Sequence, residues 1–346
     1  MPEETSRGPR YCGCHALSIL RGEPYDDGAS DGRGWRRSAC GLEAMDQAEW
    51  FAVDWGTTHL RVWIFGPHER LLTCLTSDKG MSKLKAHDFE PVLLDLIASY
   101  LGQGVCPVIA CGMVGARQGW AEAPYISVPS LPPTGETAFR VTATDTRIDL
   151  HILPGLSQKK PVDVMRGEET QIAGYLSKDP NFFGTLCLPG THTKWVQVSA
   201  KEIVSFRTFM TGELFSLISG HSVLRHGIGA GGWSEPDFLE AVDDAMSSPQ
   251  QVTSRLFGLR AEGLINDLSA EATRARLSGY LIGLELAGAK PYWLGQDLVV
   301  IGAPDLSALY ARALAVQGLP SRVQSGDDMT LEGLKAAYRA LKEARG

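Results

Sequence analysis

The feature that most restricts this chain is a pattern that occurs twice. Residues 51 to 65 read FAVDWGTTHLRVWIF, two β-favouring apolar runs joined by a DWGTTH turn. Residues 184 to 199 repeat the arrangement, with GTLCLP and WVQVS on either side of a GTHTKW turn. A turn holding an acid, a glycine and neighbouring threonines offers free backbone N–H groups, hydroxyls and one carboxylate. Amides and hydroxyls suit phosphate oxygens, and the carboxylate suits Mg²⁺, directly or through water. Taken alone, the first stretch also reads as an ordinary hairpin with a capping Asp. Two such hairpins imply an internal duplication, in which two α/β lobes face each other across a cleft with a phosphate-gripping turn on each side.

Composition narrows the rest. The chain has 346 residues, 44% hydrophobic and 21% charged, and carries a net charge of −7. The charge argues against nucleic acid as the main partner. No uncharged apolar run approaches about 18 residues, so no membrane span is expected. The start lacks a signal-peptide pattern, and a cytoplasmic location is the default expectation. A homodimer is left open. The seven cysteines, at 12, 14, 40, 74, 106, 111 and 187, form no C-x-x-C pair. Cys12, Cys14 and His15 make only a weak metal signal.

Residues 1–48 have almost no periodic apolar pattern and read as a disordered extension. A natural start at Met45 fits this. Residues 49–156 are expected to form the N-terminal lobe. It would open with strands near 50–54, 60–65 and 69–75, a helix at 88–101 and a buried strand at 107–111. The Pro-rich EAPYISVPSLPPTGE reads as a long irregular connection before strands at 138–143 and 148–153. Residues 157–346 are expected to form the C-terminal lobe. It would open with the helix in MRGEETQIAGYL, carry a long helix at 269–289, and end with a helix in LEGLKAAYRALKEA. Gly279 and Gly283 on the long helix suit close helix packing.

DWGTTHLR and LPGTHTKW, with a late glycine at a strand end in VVIGAP, are similar to the phosphate and adenosine motifs of actin-like sugar kinases. Five blocks in the same order resemble the 2-dehydro-3-deoxygalactonokinase family: WFAVDWGTTHLRVW, CGMVGARQGWAEAPY, MRGEETQIAG, LCLPGTHTKWV and RLSGYLIGLEL. The resemblance spans roughly residues 49 to 345. It implies a two-lobed, duplicated ribonuclease H-like fold around a central cleft. It also implies ATP- and Mg²⁺-dependent phosphorylation of the C6 hydroxyl of 2-dehydro-3-deoxy-D-galactonate in galactonate breakdown.

Roles follow from it position by position. Asp54 would face Mg²⁺·ATP through water, with Gly56, Thr57 and Thr58 lining the first phosphate turn. Arg61 would meet a transferring phosphoryl oxygen, or be a surface strand residue. Gly190, Thr191, His192 and Lys194 would grip the β- and γ-phosphates from the other lobe, with His192 alternatively a packing residue and Lys194 an exposed strand residue, and Gly302 would shelve the nucleotide. A carboxylate that accepts the sugar hydroxyl proton is the remaining part. Glycerol- and xylulose-type kinases carry Gly-Asp at a helix start ahead of such a turn. Gly167-Glu168 stands in the corresponding place, so Glu168 is the candidate base and Glu169 its alternate. Two acids in a first helical turn are also explained by the helix dipole alone. For the acceptor, Arg117 or Arg166 would meet the carboxylate. Gly80, Met81, Gly112 and Met113 would form walls, and Trp120 and Tyr125 could pack on the sugar.

Two other readings stand beside this one. A kinase acting on 2-dehydro-3-deoxygluconate or on a ketose keeps the fold, but a neutral ketose needs no arginine pocket. A non-catalytic nucleotide-binding regulator would be expected to lack the acids at 54 and 168–169.

Overall fold

The computed structural model describes residues 47–229 and 231–345. The expected extension up to residue 46, the Met45 start and the Cys12–Cys14–His15 group lie outside the described residues.

The first DWGTTH hairpin is β1 (Trp50–Trp55) and β2 (Leu60–Gly66), followed by β3 (Arg70–Ser77). Helix α1 (Phe89–Ile97) buries Phe89, Val92, Leu93 and Ile97, one helical stripe, against this sheet. Then come β4 (Cys106–Gly112), β5 (Tyr125–Ser127), β6 (Phe139–Val141) and β7 (Ile148–Ile152). The sheet order is β3-β2-β1-β4-β7-β6. β1 pairs antiparallel with β2 and parallel with β4.

β8 (Gly155–Lys159) and β9 (Val162–Met165) form a hairpin that joins β5 in a small separate sheet. This hairpin was not expected, because GLSQKKPVDVM has a proline turn and little alternation. Helix α2 (Glu168–Lys178) follows. The second hairpin is β10 (Gly184–Leu188) and β11 (Thr193–Ser199), continued by β12 (Glu202–Phe209). A helical layer comes next: α3 (Thr211–His221), α4 (Glu235–Ser247), α5 (Val252–Ile265), α6 (Ala270–Gly288) and the single turn α7 (Lys290–Trp293). The chain ends with β13 (Leu298–Gly302), α8 (Pro304–Val316), β14 (Arg322–Ser325) and α9 (Gly326–Glu343).

The second sheet runs β12-β11-β10-β13-β14, again two antiparallel and then two parallel neighbours. The duplication read from the hairpins is therefore a duplication of topology. Gly279 and Gly283 do bring α6 against α4. A Cβ at Gly283 would stand 2.6 Å from the Val242 carbonyl oxygen, and one at Gly279 would clash with that of Phe238.

The halves meet at two crossing helices. Gly174 of α2 lies on the Met329 carbonyl of α9, and Gly333 of α9 lies on the Thr170 carbonyl of α2. A Cβ at either would fall inside the neighbouring oxygen. Helix α9, which falls in the C-terminal lobe expected at 157–346, packs on both halves. Met329, near the start of α9, packs with Leu186, Val299 and Ile301 of the second sheet. Further along, Leu334, Ala337, Tyr338 and Leu341 join the core of the first lobe. Their spacing gives α9 an apolar stripe, and the Trp50 ring is stacked between Phe65 (4.4 Å) and Tyr338 (4.2 Å). Among the described residues no helix is long and apolar enough to cross a membrane.

Candidate active site

The two hairpin turns, the ends of β4 and β13 and the starts of α2 and α9 enclose a cleft of about 800 Å³. β4 and β13 each end in a glycine that lets backbone come close. Gly112, at φ +85°, leaves its Cβ position 2.7 Å from the Trp55 carbonyl oxygen. The Cβ position of Gly302 lies 3.3 Å from the Pro189 carbonyl oxygen. Gly167, at φ +110°, turns the chain into α2 in a conformation that L side chains rarely adopt.

The first turn contributes Asp54, Gly56 and Thr57 to the cleft wall. Burial and the neighbouring Asp327 charge push the Asp54 pKa up to about 6, against a weak lowering by the Cys111 thiol. Cys111 Sγ donates to Asp54 Oδ1 at 3.8 Å. Gly80 and Met81 do not reach the cleft. They clasp the turn from behind: Gly80 N–H donates to Thr58 O, Met81 N–H to Gly56 O and Ser82 N–H to Thr57 O. Thr58 is exposed and bonds to His59. Arg61 also stands behind the wall, where it pairs with Asp327 at 2.7 Å.

The second turn contributes Gly190, Thr191, His192 and Lys194, and Gly302 stands beside it. The start of α3 braces this turn. Glu213 N–H donates to Thr191 O at 3.0 Å, and the His192 ring pairs with the Glu213 carboxylate.

At the start of α2 the two glutamates part ways. Glu168 lines the cleft, accepts the Arg166 backbone N–H at 3.2 Å and pairs with the buried Lys194 at 3.4 Å. Glu169 is fully buried and absent from the cleft wall; both its carboxylate oxygens accept the Gly167 N–H. Burial and the Glu168 charge push the Glu169 pKa up to about 8.

Arg166 is the arginine that lines the cleft, with Gly112, Met113 and Tyr125. Its guanidinium donates to Ala123 O at 2.8 Å and stacks 4.3 Å from the Tyr125 ring centroid. Its Nε and Nη1 are buried with no hydrogen-bond partner. Arg117 points outward, 80% exposed, and faces Glu122. Trp120 packs edge-on to Trp55 rather than on the cleft.

Asp327 of the cleft wall was missed in the sequence. The signal was present: Gly326-Asp327-Asp328 at the start of α9 repeats Gly167-Glu168-Glu169 at the start of α2.

A family model of 2-keto-3-deoxy-galactonokinases matches residues 54–337. The chain belongs to this family. A Rhizobium meliloti protein with the curated name "Probable 2-dehydro-3-deoxygalactonokinase" is 40% identical over 302 residues, covering 84% of this chain and 96% of that protein. The Escherichia coli 2-dehydro-3-deoxygalactonokinase is 33% identical over 299 residues, covering 85% and 99%. A crystal structure from Sinorhizobium meliloti, described as a protein of the same kind, superposes with a TM-score of 0.79. It is 39% identical and covers 84% of this chain and 99% of its own. The family membership and the duplicated sheets agree on a two-lobed, actin-like sugar kinase fold.

Proposed function

We propose that the protein is an ATP-dependent kinase that phosphorylates the C6 hydroxyl of 2-dehydro-3-deoxy-D-galactonate to give the 6-phosphate. The observation that carries the acceptor class is Arg166, the arginine of the cleft wall, whose positive charge stands beside Glu168 and Gly112. A substrate carboxylate is attracted to that fixed charge, and a neutral ketose is not.

Glu168 is the base of this reading. It faces the cleft as a carboxylate, next to the subsite for the acid and across from the second phosphate turn. The sugar oxygen forms a bond to the γ-phosphorus as the bond from that phosphorus to the β–γ bridging oxygen breaks. The hydroxyl proton passes to Glu168, and ADP leaves. The amides of Gly190 and Thr191 and the Lys194 ammonium hold phosphate oxygens, and Gly302 gives the nucleotide its shelf. Phosphoryl transfer needs this positioning and charge neutralisation more than covalent help.

The donor set at Asp54 fits a Mg²⁺ carried in with ATP. Its carboxylate is recessed at the cleft floor, where burial first and the Asp327 charge second raise its pKa, and a cation would offset both. Among the described residues no group of three or more His, Cys, Asp or Glu side chains gathers at one point. Asp54 would therefore hold the ion with water and phosphate oxygens as its other partners. When bound, Mg²⁺ supplies charge neutralisation at the phosphates. Dependence on ATP fits a cytoplasmic enzyme.

The test is coupled ADP release with 2-dehydro-3-deoxygalactonate, its gluconate epimer and neutral ketohexoses. The expected result is turnover of the galactonate-derived acid and none of the ketohexoses. Turnover of a ketohexose alone would overturn the acceptor class and keep the kinase. Preference for the gluconate epimer would overturn only the named acid.

A further inference from the structure

Helix α6 carries one carboxylate in an otherwise apolar run, LIGLELAG. This is Glu285, 2% exposed and no part of the cleft wall. Burying a carboxylate is costly unless donors surround it, and here they do. Trp195 Nε1 donates to Oε1 at 2.8 Å, the Tyr310 hydroxyl donates to Oε2 at 2.8 Å, and the Thr211 hydroxyl donates to Oε2 as well. The Tyr310 proton is committed to Glu285. The 2.9 Å contact between Thr193 Oγ1 and Tyr310 therefore has Thr193 as its donor.

Each donor sits on an element that borders the nucleotide side of the cleft. Thr193 and Trp195 begin β11, directly after the Gly190–His192 turn. Thr211 begins α3, whose Glu213 N–H holds Thr191 O and whose Gly212 lies on the Gly190 carbonyl. Tyr310 is on α8, which starts just past Gly302. One carboxylate thus gathers the turn, the helix that braces it and the helix behind the shelf. A Leu at this position would fill α6 without any desolvation cost and would gather none of them.

We propose that Glu285 is a positioning residue for the nucleotide, holding the second phosphate turn in place from behind. The proposal rests on reading the cleft as a nucleotide site. A bound network of this kind fixes donors in advance, so the phosphate meets amides already aimed at it.

The experiment compares Glu285→Gln, Glu285→Leu and Tyr310→Phe in the full chain. Calorimetry with ADP and with a non-hydrolysable ATP analogue reads nucleotide affinity, and steady-state kinetics reads the acceptor KM. In Glu285→Gln the amide oxygen still accepts from Trp195, while the NH₂ group donates to the two hydroxyls, which rotate to accept. Affinity is expected within about threefold of wild type, because the polar contacts are reversed rather than lost. Glu285→Leu removes every acceptor and is expected to weaken nucleotide binding about tenfold or more, with the acceptor KM unchanged. Tyr310→Phe cuts the link to Thr193, keeps the ring, and is expected to weaken it several-fold; it carries the test if the Leu variant does not fold. Folded Leu or Phe variants that bind nucleotide like wild type would overturn the proposal. So would a Gln variant as weak as the Leu variant. Calorimetry needs no acceptor, so failure of the proposed substrate leaves this result readable.

Discussion

Replacing Glu168 with Gln should separate chemistry from binding. The amide has the size of the carboxylate and keeps an oxygen for the Arg166 N–H, which lies 3.2 Å away. It cannot take a proton from the sugar hydroxyl. General bases contribute roughly 10²–10⁴ in rate, so kcat should fall by that factor, about 3–5 kcal/mol of barrier. Nucleotide affinity should move the other way. Lys194 is buried and its carboxylate partner, 3.4 Å distant, would be gone. An unpaired buried ammonium is unfavourable, and a phosphate is the anion best placed to replace the lost partner. The ATP analogue should therefore bind Glu168→Gln at least as tightly as wild type. Coupled ADP release gives kcat, calorimetry gives affinity, and Glu169→Gln serves as the comparison because Glu169 does not face the cleft. Glu168→Gln with kcat within about threefold of wild type would refute the assignment. Loss of nucleotide binding together with kcat would refute the reasoning about Lys194.

Three other outcomes follow from the same geometry. Glu169 has its pKa raised from 4.5 to about 8, so between those values the folded state holds a proton that the unfolded state has lost. Stability should then decline as pH rises across that window, and Glu169→Gln should flatten the decline in urea titrations at pH 5, 7 and 9. Arg166→Gln should raise the KM for the sugar acid about 10–100-fold and leave nucleotide affinity alone, since a charged hydrogen bond is worth about 1.5–3 kcal/mol; an unchanged KM would remove Arg166 from the acceptor site. Gly174→Val and Gly333→Val should each lower stability by about 3 kcal/mol or more, because either Cβ must force apart the crossing helices α2 and α9.

The parts of the fold legible in the sequence were those with strong local periodicity. Both hairpins, the long helix at 269–289 and the buried strands at 107–111 and 297–302 stand where their patterns put them. The β8–β9 hairpin was hidden because its exposed valines, Val162 and Val164, sit beside a proline turn. The return of α9 to the first lobe was hidden because an apolar stripe says that a face is buried and not against what. At the site, residue type and order identified Asp54, Glu168, Lys194 and Gly302 as neighbours of one cleft. Which way a side chain leaves the backbone was not legible. Glu168 and Glu169 are adjacent, yet one faces the cleft and the other the core. Gly80 and Met81 looked like walls and proved to be braces for the first turn. Glu285 went unread because a single acid in an apolar helix carries no motif.

The duplication also shows where the two halves stop being equivalent, and the chemistry follows those differences. Register pairs Asp54 with Arg61 in the first hairpin and Leu188 with Lys194 in the second. Each hairpin thus returns with a cation, and each cation pairs with the acid that opens a crossing helix: Arg61 with Asp327, Lys194 with Glu168. The glycines match as well, Gly112 beside Gly167 and Gly302 beside Gly326. Against this common frame, the second half has Leu188 where the first has Asp54, so the carboxylate at the floor of a phosphate turn occurs once. The residue before the glycine at the start of the crossing helix is Arg166 in one half and Ser325 in the other. Ser325 caps α9 by accepting the Asp328 N–H, a purely local task. Arg166 instead brings a positive charge to the wall beside Glu168. A symmetric frame of two phosphate-gripping turns would suit two nucleotides equally. In the reading proposed above, the single Arg-Gly-Glu start suits one side to an anionic acceptor and leaves the Gly302 side for the nucleotide.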